Sequence, residues 1–394
     1  MAENLHFLDW SKPVRRRFTG KSFWLGEQAL RITGDNQLRI VSAPQTGLLS
    51  NGLIHGSGSL ALNVDVSLVG DGPSSLSSGS AIENHGMMTA ASLSIHATIS
   101  GTSPSATSGV VNHGIMRNVR SIYAEDKSDG VGIFNYGIIS GFNSSGYLSS
   151  IIGKAYGLNR FGIGVANGGT IQTGGLLKGS GVTGISNYGM IDFVSSAVEA
   201  NWVVGDGWST GIDNFGTIKG SRNRETLRGT ASSIPSWNSG IINSGRISLE
   251  DGNDRIIATT GRKTFLIPKP PFDFSPDLIN TGTINMGEGN DRIDVSENGI
   301  AGASGQVGRV EMGGGNDAFL GFGDDQIISG GDGIDILRLP AGTYIFTPSN
   351  FPLTGAMEVS AAGASLILTE FERVGLFGAA NAIPFPVAGG TLTF

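Results

Sequence analysis

The chain has 394 residues, 63 of them glycine, no cysteine, and a formal net charge of −7 at pH 7. Without cysteine there are no disulfides, thiolate metal sites or cysteine nucleophiles, and the acidic balance argues against a nucleic-acid partner. No run approaches the roughly 18 apolar residues of a membrane-spanning helix, and glycine lacks the every-third-residue period of collagen.

Residues 1–24 carry Trp10, Arg15, Arg16, Arg17, Phe18 and Trp24 and read as a basic capping segment. No apolar run follows the arginines, so no Sec-type signal peptide is expected. Residues 25–248 are dominated by one pattern, apolar-x-Asn-x-Gly-x-apolar. Its asparagines are Asn84, Asn112, Asn135, Asn167, Asn187, Asn214 and Asn243, with an eighth at Asn280, separated by 28, 23, 32, 20, 27, 29 and 37 residues. A fixed core with variable spacing predicts one supersecondary unit per repeat, with insertions in the loops. In an extended chain the two apolar residues, the Asn and the Gly share a face, and a buried Asn needs a partner. Coils stacked at about 4.8 Å would let each carboxamide bond to its neighbours above and below as a ladder. The glycine serves a corner, through backbone freedom or close approach.

Valine- and isoleucine-rich segments punctuated by glycine read as short strands, and helical periodicity is nearly absent. The predicted fold is all-β, a right-handed parallel β-solenoid from roughly residue 25 to 380. At about 25–30 residues per coil it would be a rod on the order of 60 Å long. Residues 141–160, 221–237 and 259–276 break the pattern and are expected as surface loops.

The residue between Asn and Gly runs His85, His113, Tyr136, Gly168, Tyr188, Phe215, Ser244 and Thr281. Its odd offset points it outward. That predicts a partly aromatic column, which either stacks for its own sake or presents a platform for sugar rings. His85 and His113 would make a metal pair, but the sequence offers no evident third ligand. Catalysis on such a scaffold would need a charged groove. Asp192, Glu199, Asp206 and Asp213, with Lys154, Arg160, Arg222 and Arg224 in neighbouring segments, come nearest and show no repeat spacing.

Over residues 249–340 a second motif joins the first. It reads Gly252-Asn253-Asp254 after Asn243, Gly287-Glu288-Gly289-Asn290-Asp291 after Asn280, and then Gly313-Gly314-Gly315-Asn316-Asp317. Gln306 is expected to fill the asparagine column in this third copy. Two more copies follow, Gly321-Phe322-Gly323-Asp324-Asp325 and Gly330-Gly331-Asp332-Gly333-Ile334-Asp335. The competing reading is that Gly-Asn-Asp is simply a good turn.

These copies resemble the glycine-rich nonapeptide of the RTX (haemolysin-type) calcium-binding proteins, well over 312–338 and in part over 249–256 and 286–294. The resemblance implies Ca2+ held between successive turns by carboxylates and glycine-turn carbonyls, since calcium takes six to eight hard oxygens. Carried onto this sequence, the ligand set is Asp254, Asp291, Gly313, Gly315, Asp317, Gly323, Asp324, Asp325, Gly331, Asp332, Gly333 and Asp335, with Asp254, Asp291, Asp317 and Asp335 implied on one edge and Asp324 and Asp325 on the other. The resemblance further implies a closing strand at 368–374 and, within 341–394, a C-terminal segment directing type I export.

The expected architecture is therefore a β-solenoid passing into a C-terminal calcium-binding β-roll. The expected role is a secreted structural protein of a bacterial cell surface that self-assembles into a filament or array. The alternatives are a calcium-dependent adhesin for glycans or cells, and a polysaccharide lyase or epimerase, although an enzyme is not expected. Expected partners are copies of the chain itself and, for the adhesin, a cell-surface polysaccharide.

Overall fold

The structure is a computed structural model. It describes residues 15–19, 23–25, 30–32, 36–42, 46–50, 53–56, 59–68, 79–101, 107–127, 130–141, 150–155, 162–173, 175–181, 183–193, 197–202, 209–221, 224–231, 238–260, 276–303, 306–350 and 355–394. Every regular element among them is a β-strand, and none of the described residues forms a helix long and apolar enough to cross a membrane. The chain divides into two compact units, Met1–Asp206 and Gly207–Phe394. The change of motif at residue 249 falls inside the second.

In the first unit one sheet stacks Phe23–Leu25, Thr46–Ser50, Gly79–Asn84, Thr107–Asn112, Val131–Asn135, Ile163–Asn167 and Thr183–Asn187. Each strand pairs in parallel with its equivalent one coil later, which makes the fold a parallel β-solenoid. The return path of each coil does the same, as where Ile115–Asp126 pairs with Met87–Gly101, Ile138–Ser140 and Ser150–Ala155. Arg15–Thr19 already pairs in parallel with Asn36–Ser42, so part of the basic N-terminal segment is itself a rung of the stack.

Register puts like residues over like. Ile82, Val110, Ile133, Val165 and Ile185 form one wholly buried column, and Met88, Met116, Ile139, Ile171 and Ile191 form another. Each such side chain contributes about 1.5–3 kcal/mol by leaving water. Between them runs the amide ladder. Each Nδ2 donates to the next Oδ1 at 2.8 Å, from Asn84 to Asn112, Asn135, Asn167 and Asn187 in turn. The second amide hydrogen goes to a main-chain carbonyl, as from Asn135 to Thr170 at 3.1 Å. Ser50, also buried, stands in register with Asn84, but neither its Oγ nor the Asn84 Oδ1 has a hydrogen-bond partner among the described residues, so the amide ladder starts at Asn84.

The repeat is not one extended strand sharing a face, as the alternation argument assumes. The Asn ends a strand, the next two residues bend, and the following apolar residue opens a new wall. None of Gly114, Gly137, Gly169 and Gly189 has a positive φ. A Cβ on Gly114 would lie 1.9 Å from the Gly86 carbonyl oxygen, and one on Gly137 would lie 1.9 Å from that of Gly114. Close stacking of corner on corner, and not backbone freedom, excludes a side chain here.

The second unit repeats this plan in three ribbons. Ser209–Asn214, Asn238–Asn243, Leu278–Asn280, Ile300–Ala301 and Gly323–Asp324 form the first. Thr217–Lys219, Arg246–Ser248, Thr283–Asn285, Gly308–Gly315, Gln326–Gly333 and Ala364–Thr369 form the second. Thr226–Thr230, Arg255–Thr259, Arg292–Asp294, Ala318–Leu320, Ile336–Leu339 and Arg373–Leu376 form the third. The ladder runs here from Asn214 to Asn243 at 2.8 Å and from Asn243 to Asn280 at 2.9 Å.

Three expectations need correction. Two of the expected loops contain core strands, Ser150–Ala155 and Thr226–Thr230, whose Ile151 and Leu227 are fully buried because every coil needs a further wall. Of the third, residues 261–275 lie outside the described residues. Its base is fixed by buried Asp277, which accepts bonds from Thr260, Glu297 and Asn298. Gln306 does not fill the ladder; it is exposed in a turn closed on Ala303. Gln326 takes that place, accepting from Asn280 Nδ2 at 3.0 Å and donating to the Asn280 carbonyl at 2.9 Å. Finally, residues 364–376 continue the parallel stack, and closure is by antiparallel strands. Thr343–Pro348 lies between Met357–Ala361 and Gly390–Thr393. Such a cover blunts the exposed edge of a sheet.

Candidate functional site

The third ribbon of the second unit carries the site. Its inward column is Leu227, Ile256, Ile293, Phe319, Leu337 and Val374, all fully buried. Two residues before each stands an acid: Glu225, Asp254, Asp291, Asp317, Asp335 and Glu372. Asp254, Asp291, Asp317 and Asp335 are at most 2% exposed, so alternation turns them to the same interior.

A chain of main-chain-to-carboxylate hydrogen bonds joins the six. The Glu225 N–H donates to Asp254 Oδ1 at 2.8 Å, Asp254 N–H to Asp291 Oδ1 at 2.7 Å, and Asp291 N–H to Asp317 Oδ1 at 2.8 Å. Asp317 N–H donates to Asp335 Oδ1 at 2.8 Å, and Asp335 N–H to Glu372 Oε2 at 2.7 Å. Among the described residues, the Oδ2 atoms of Asp254, Asp291, Asp317 and Asp335 are buried without a hydrogen-bond partner.

Withdrawal from water raises all four carboxyl groups above their ordinary value of 3.8. Asp254 rises to about 8, with the Glu225 and Asp291 charges adding to burial; Asp291 rises to about 7, and Asp317 and Asp335 to about 6. A buried anion with one oxygen unmet is costly. A proton or a cation relieves that cost.

The glycine turn beside the column is built just as tightly. Gly313, Gly314 and Gly315 lie in register with Gly331, Asp332 and Gly333. Gly315 and Gly333 have φ of 133° and 143°, and a Cβ on Gly333 would sit 1.5 Å from the Gly315 carbonyl oxygen. Next to them a second ladder runs the opposite way, with Asn290 N–H donating to Asn253 Oδ1 at 2.7 Å and Asn316 N–H to Asn290 Oδ1 at 2.7 Å. Each Asn-Asp pair thus ties its coil to the one before and the one after.

The structure therefore brings together Asp254, Asp291, Asp317 and Asp335 with the glycines 313, 315, 331 and 333. Asp332 belongs to the same turn but faces solvent. Gly323 and Asp324 lie on the first ribbon and Asp325 in the bend after it; the residues stacked on Gly323 and Asp324 are Ile300 and Ala301, so no second acidic column forms there. Asp324 accepts the Ser365 N–H at 3.0 Å, and Asp325, at φ 55°, turns the chain. Glu225 and Glu372, which bracket the column, escape a search for Gly-Asn-Asp; the acid-x-apolar spacing they share with the aspartates would find them. Buried carboxylates, each with an uncommitted oxygen, beside stacked glycine turns fit the hard-oxygen chemistry of a divalent cation such as Ca2+.

The other candidates sit elsewhere. Asp192 accepts a bond from Gln172 at 3.3 Å, and the Lys154 ammonium lies 5.0 Å from the Tyr123 ring centre. Asp213 is raised to about 6 by burial, and Arg224 is exposed. Asp206, Arg160, Arg222 and the Glu199 side chain lie outside the described residues. The outward aromatic column is present where described, with His85, His113 and Tyr136 stacked face to face at 4.7 and 5.1 Å.

Fold and site together define a parallel β-solenoid with an internal carboxylate column. Comparison with protein-family models, with curated proteins and with solved structures gave no match.

Proposed function

We propose that the chain is an exported structural β-solenoid whose C-terminal coils bind Ca2+, and that it assembles on a bacterial cell surface. The observation that carries this reading is the row of four buried aspartates, each with one oxygen committed to the neighbouring coil and the other without a partner. Asp254, Asp291, Asp317 and Asp335 would supply the charge, and the turns at Gly313, Gly315, Gly331 and Gly333 the carbonyls. Bound calcium would take the place of protons on the column and join successive coils, stabilising the native state by an amount that grows with the logarithm of free calcium above its dissociation constant. The resemblance to RTX repeats and the absence of cysteine support export into a calcium-rich medium. Long in-register stacking supports a scaffold.

The test is calorimetric titration of chelator-treated protein with Ca2+, with negative-stain microscopy of the same samples. Stoichiometric calcium binding accompanied by polymers that chelator dissolves would support the reading. Binding without polymers would favour the adhesin, to which the exposed Tyr136 and Tyr188 offer a ring-stacking surface; glycan binding weakened by Tyr136→Ala would identify it. Absence of calcium binding would remove the foundation of both.

A further inference from the structure

A second set of metal-binding atoms gathers on the first unit, well apart in sequence from the carboxylate column. Glu83, His85 and His113 each bring one ligand atom to within 4.8 Å of the others. We propose that these three side chains bind one borderline divalent cation, zinc above all, and that they do so independently of any calcium held by the aspartates.

The site follows from the register. Glu83 and His85 stand two residues apart, an alternating pair on the outer side. Asn84 and Asn112 are stacked partners, so His113 lies one coil beyond His85. The two imidazoles are parallel to within 10°, with centroids 4.7 Å apart. Tyr136 packs on the far face of His113 at 5.1 Å and restrains that ring.

Glu83 is anchored through one oxygen and offers the other. Its Oε1 lies 2.7 Å from His85 Nε2, and its Oε2 accepts from the hydroxyl of buried Ser80 at 3.2 Å. Ser80 thus orients the ligating carboxylate from behind, and Oε1 is the atom that faces His85. The backbone beneath is equally fixed: His85 N–H donates to the Ser50 carbonyl and His113 N–H to that of Asn84, both at 2.7 Å. The amides of Asn84 and Asn112 are bonded to each other at 2.8 Å.

Two imidazoles and one carboxylate are a borderline donor set suited to Zn2+, with three protein ligands and a fourth position open to water or an incoming group. Calcium, which seeks six to eight oxygens, has little use for it.

The full chain is titrated with Zn2+ by calorimetry in excess Ca2+, alongside the Glu83→Gln and His113→Gln variants. The expected result is one equivalent bound by the parent, with affinity lower by roughly tenfold or more in each variant and unchanged circular-dichroism melting. His85→Gln provides a further variant should His113→Gln fold poorly. Zinc binding that is absent, that the variants leave unaltered, or that excess Ca2+ abolishes would overturn the proposal. Because calcium is saturating throughout, failure here leaves the reading of the aspartate column untouched.

Discussion

The Asp291 main-chain N–H donates to Oδ1 of Asp317, 2.8 Å away on the next coil. This bond separates two jobs that one carboxylate performs: Oδ1 stitches the stack and Oδ2 faces the interior unmet. Asp317→Ala removes both and leaves the Asp291 N–H buried without an acceptor, which should cost about 1–3 kcal/mol in chemical denaturation. Asp317→Asn keeps the acceptor and deletes the charge. It should retain most of the cation-free stability while losing most of the stabilisation by Ca2+. Equal behaviour of the two variants would show that the carboxylate charge does nothing beyond its hydrogen bond.

The pH dependence has an unusual sign. Folding raises Asp254 to about 8, Asp291 to about 7, and Asp317 and Asp335 to about 6, from an ordinary 3.8. The native state therefore holds more protons than the unfolded chain between these limits. The contribution of these groups to stability is complete below about pH 4 and is lost as pH rises through 6 to 8. Melting of chelator-treated protein should fall from about pH 5 to about pH 8.5, and the gain on adding Ca2+ should grow over the same interval. A melting temperature that rises with pH in the absence of calcium would contradict the buried column.

The amide ladder makes its own prediction. Asn135 accepts from Asn112 and donates to Asn167, both at 2.8 Å. Asn135→Ala strands one buried donor and one buried acceptor, at about 1–3 kcal/mol for each unsatisfied group. Hydrogen exchange should quicken first at Val131–Asn135 and its two paired strands, because the loss is local to those rungs.

Two glycines separate crowding from backbone strain. Gly137→Ala drives a Cβ to 1.9 Å from the Gly114 carbonyl oxygen and should cost about 3 kcal/mol or more through displaced backbone. Gly363, at φ 83°, has nothing within 4 Å of where its Cβ would go. Gly363→Ala should cost only the left-handed penalty of about 1–2 kcal/mol. Denaturant midpoints of the two variants check the ranking.

The solenoid was legible because its repeat couples a buried amide to a crowded corner, and few other folds need both at fixed offset. What escaped were substitutions within a column. Ser50 stands in register with the asparagines, and Gln326 bonds to their row from the neighbouring glycine position; a search for asparagine passes over both. Glu225 and Glu372 extend the acid column without the glycine turn that draws attention to Asp317. The strand Ser150–Ala155 was hidden because it carries no copy of the Asn-x-Gly pattern, although Ile151 and Ile152 favour a strand; its place is set by the neighbours it pairs with. Glu83, by contrast, was available from alternation alone.

Gln326 is in register with Gly308, and a Cβ on Gly308 would lie 2.5 Å from the Gln326 Oε1. The longer carboxamide thus reaches down past an intervening coil to Asn280, through space that glycine vacates. Register places Gln326 over Gly308, next to the pairing of Arg309 with Thr283 and so two residues along from the asparagine column, and it is this empty glycine position that lets the amide cross the extra layer. The amide row therefore tolerates a coil that brings no carboxamide of its own, provided that the coil leaves the space empty for its neighbour's.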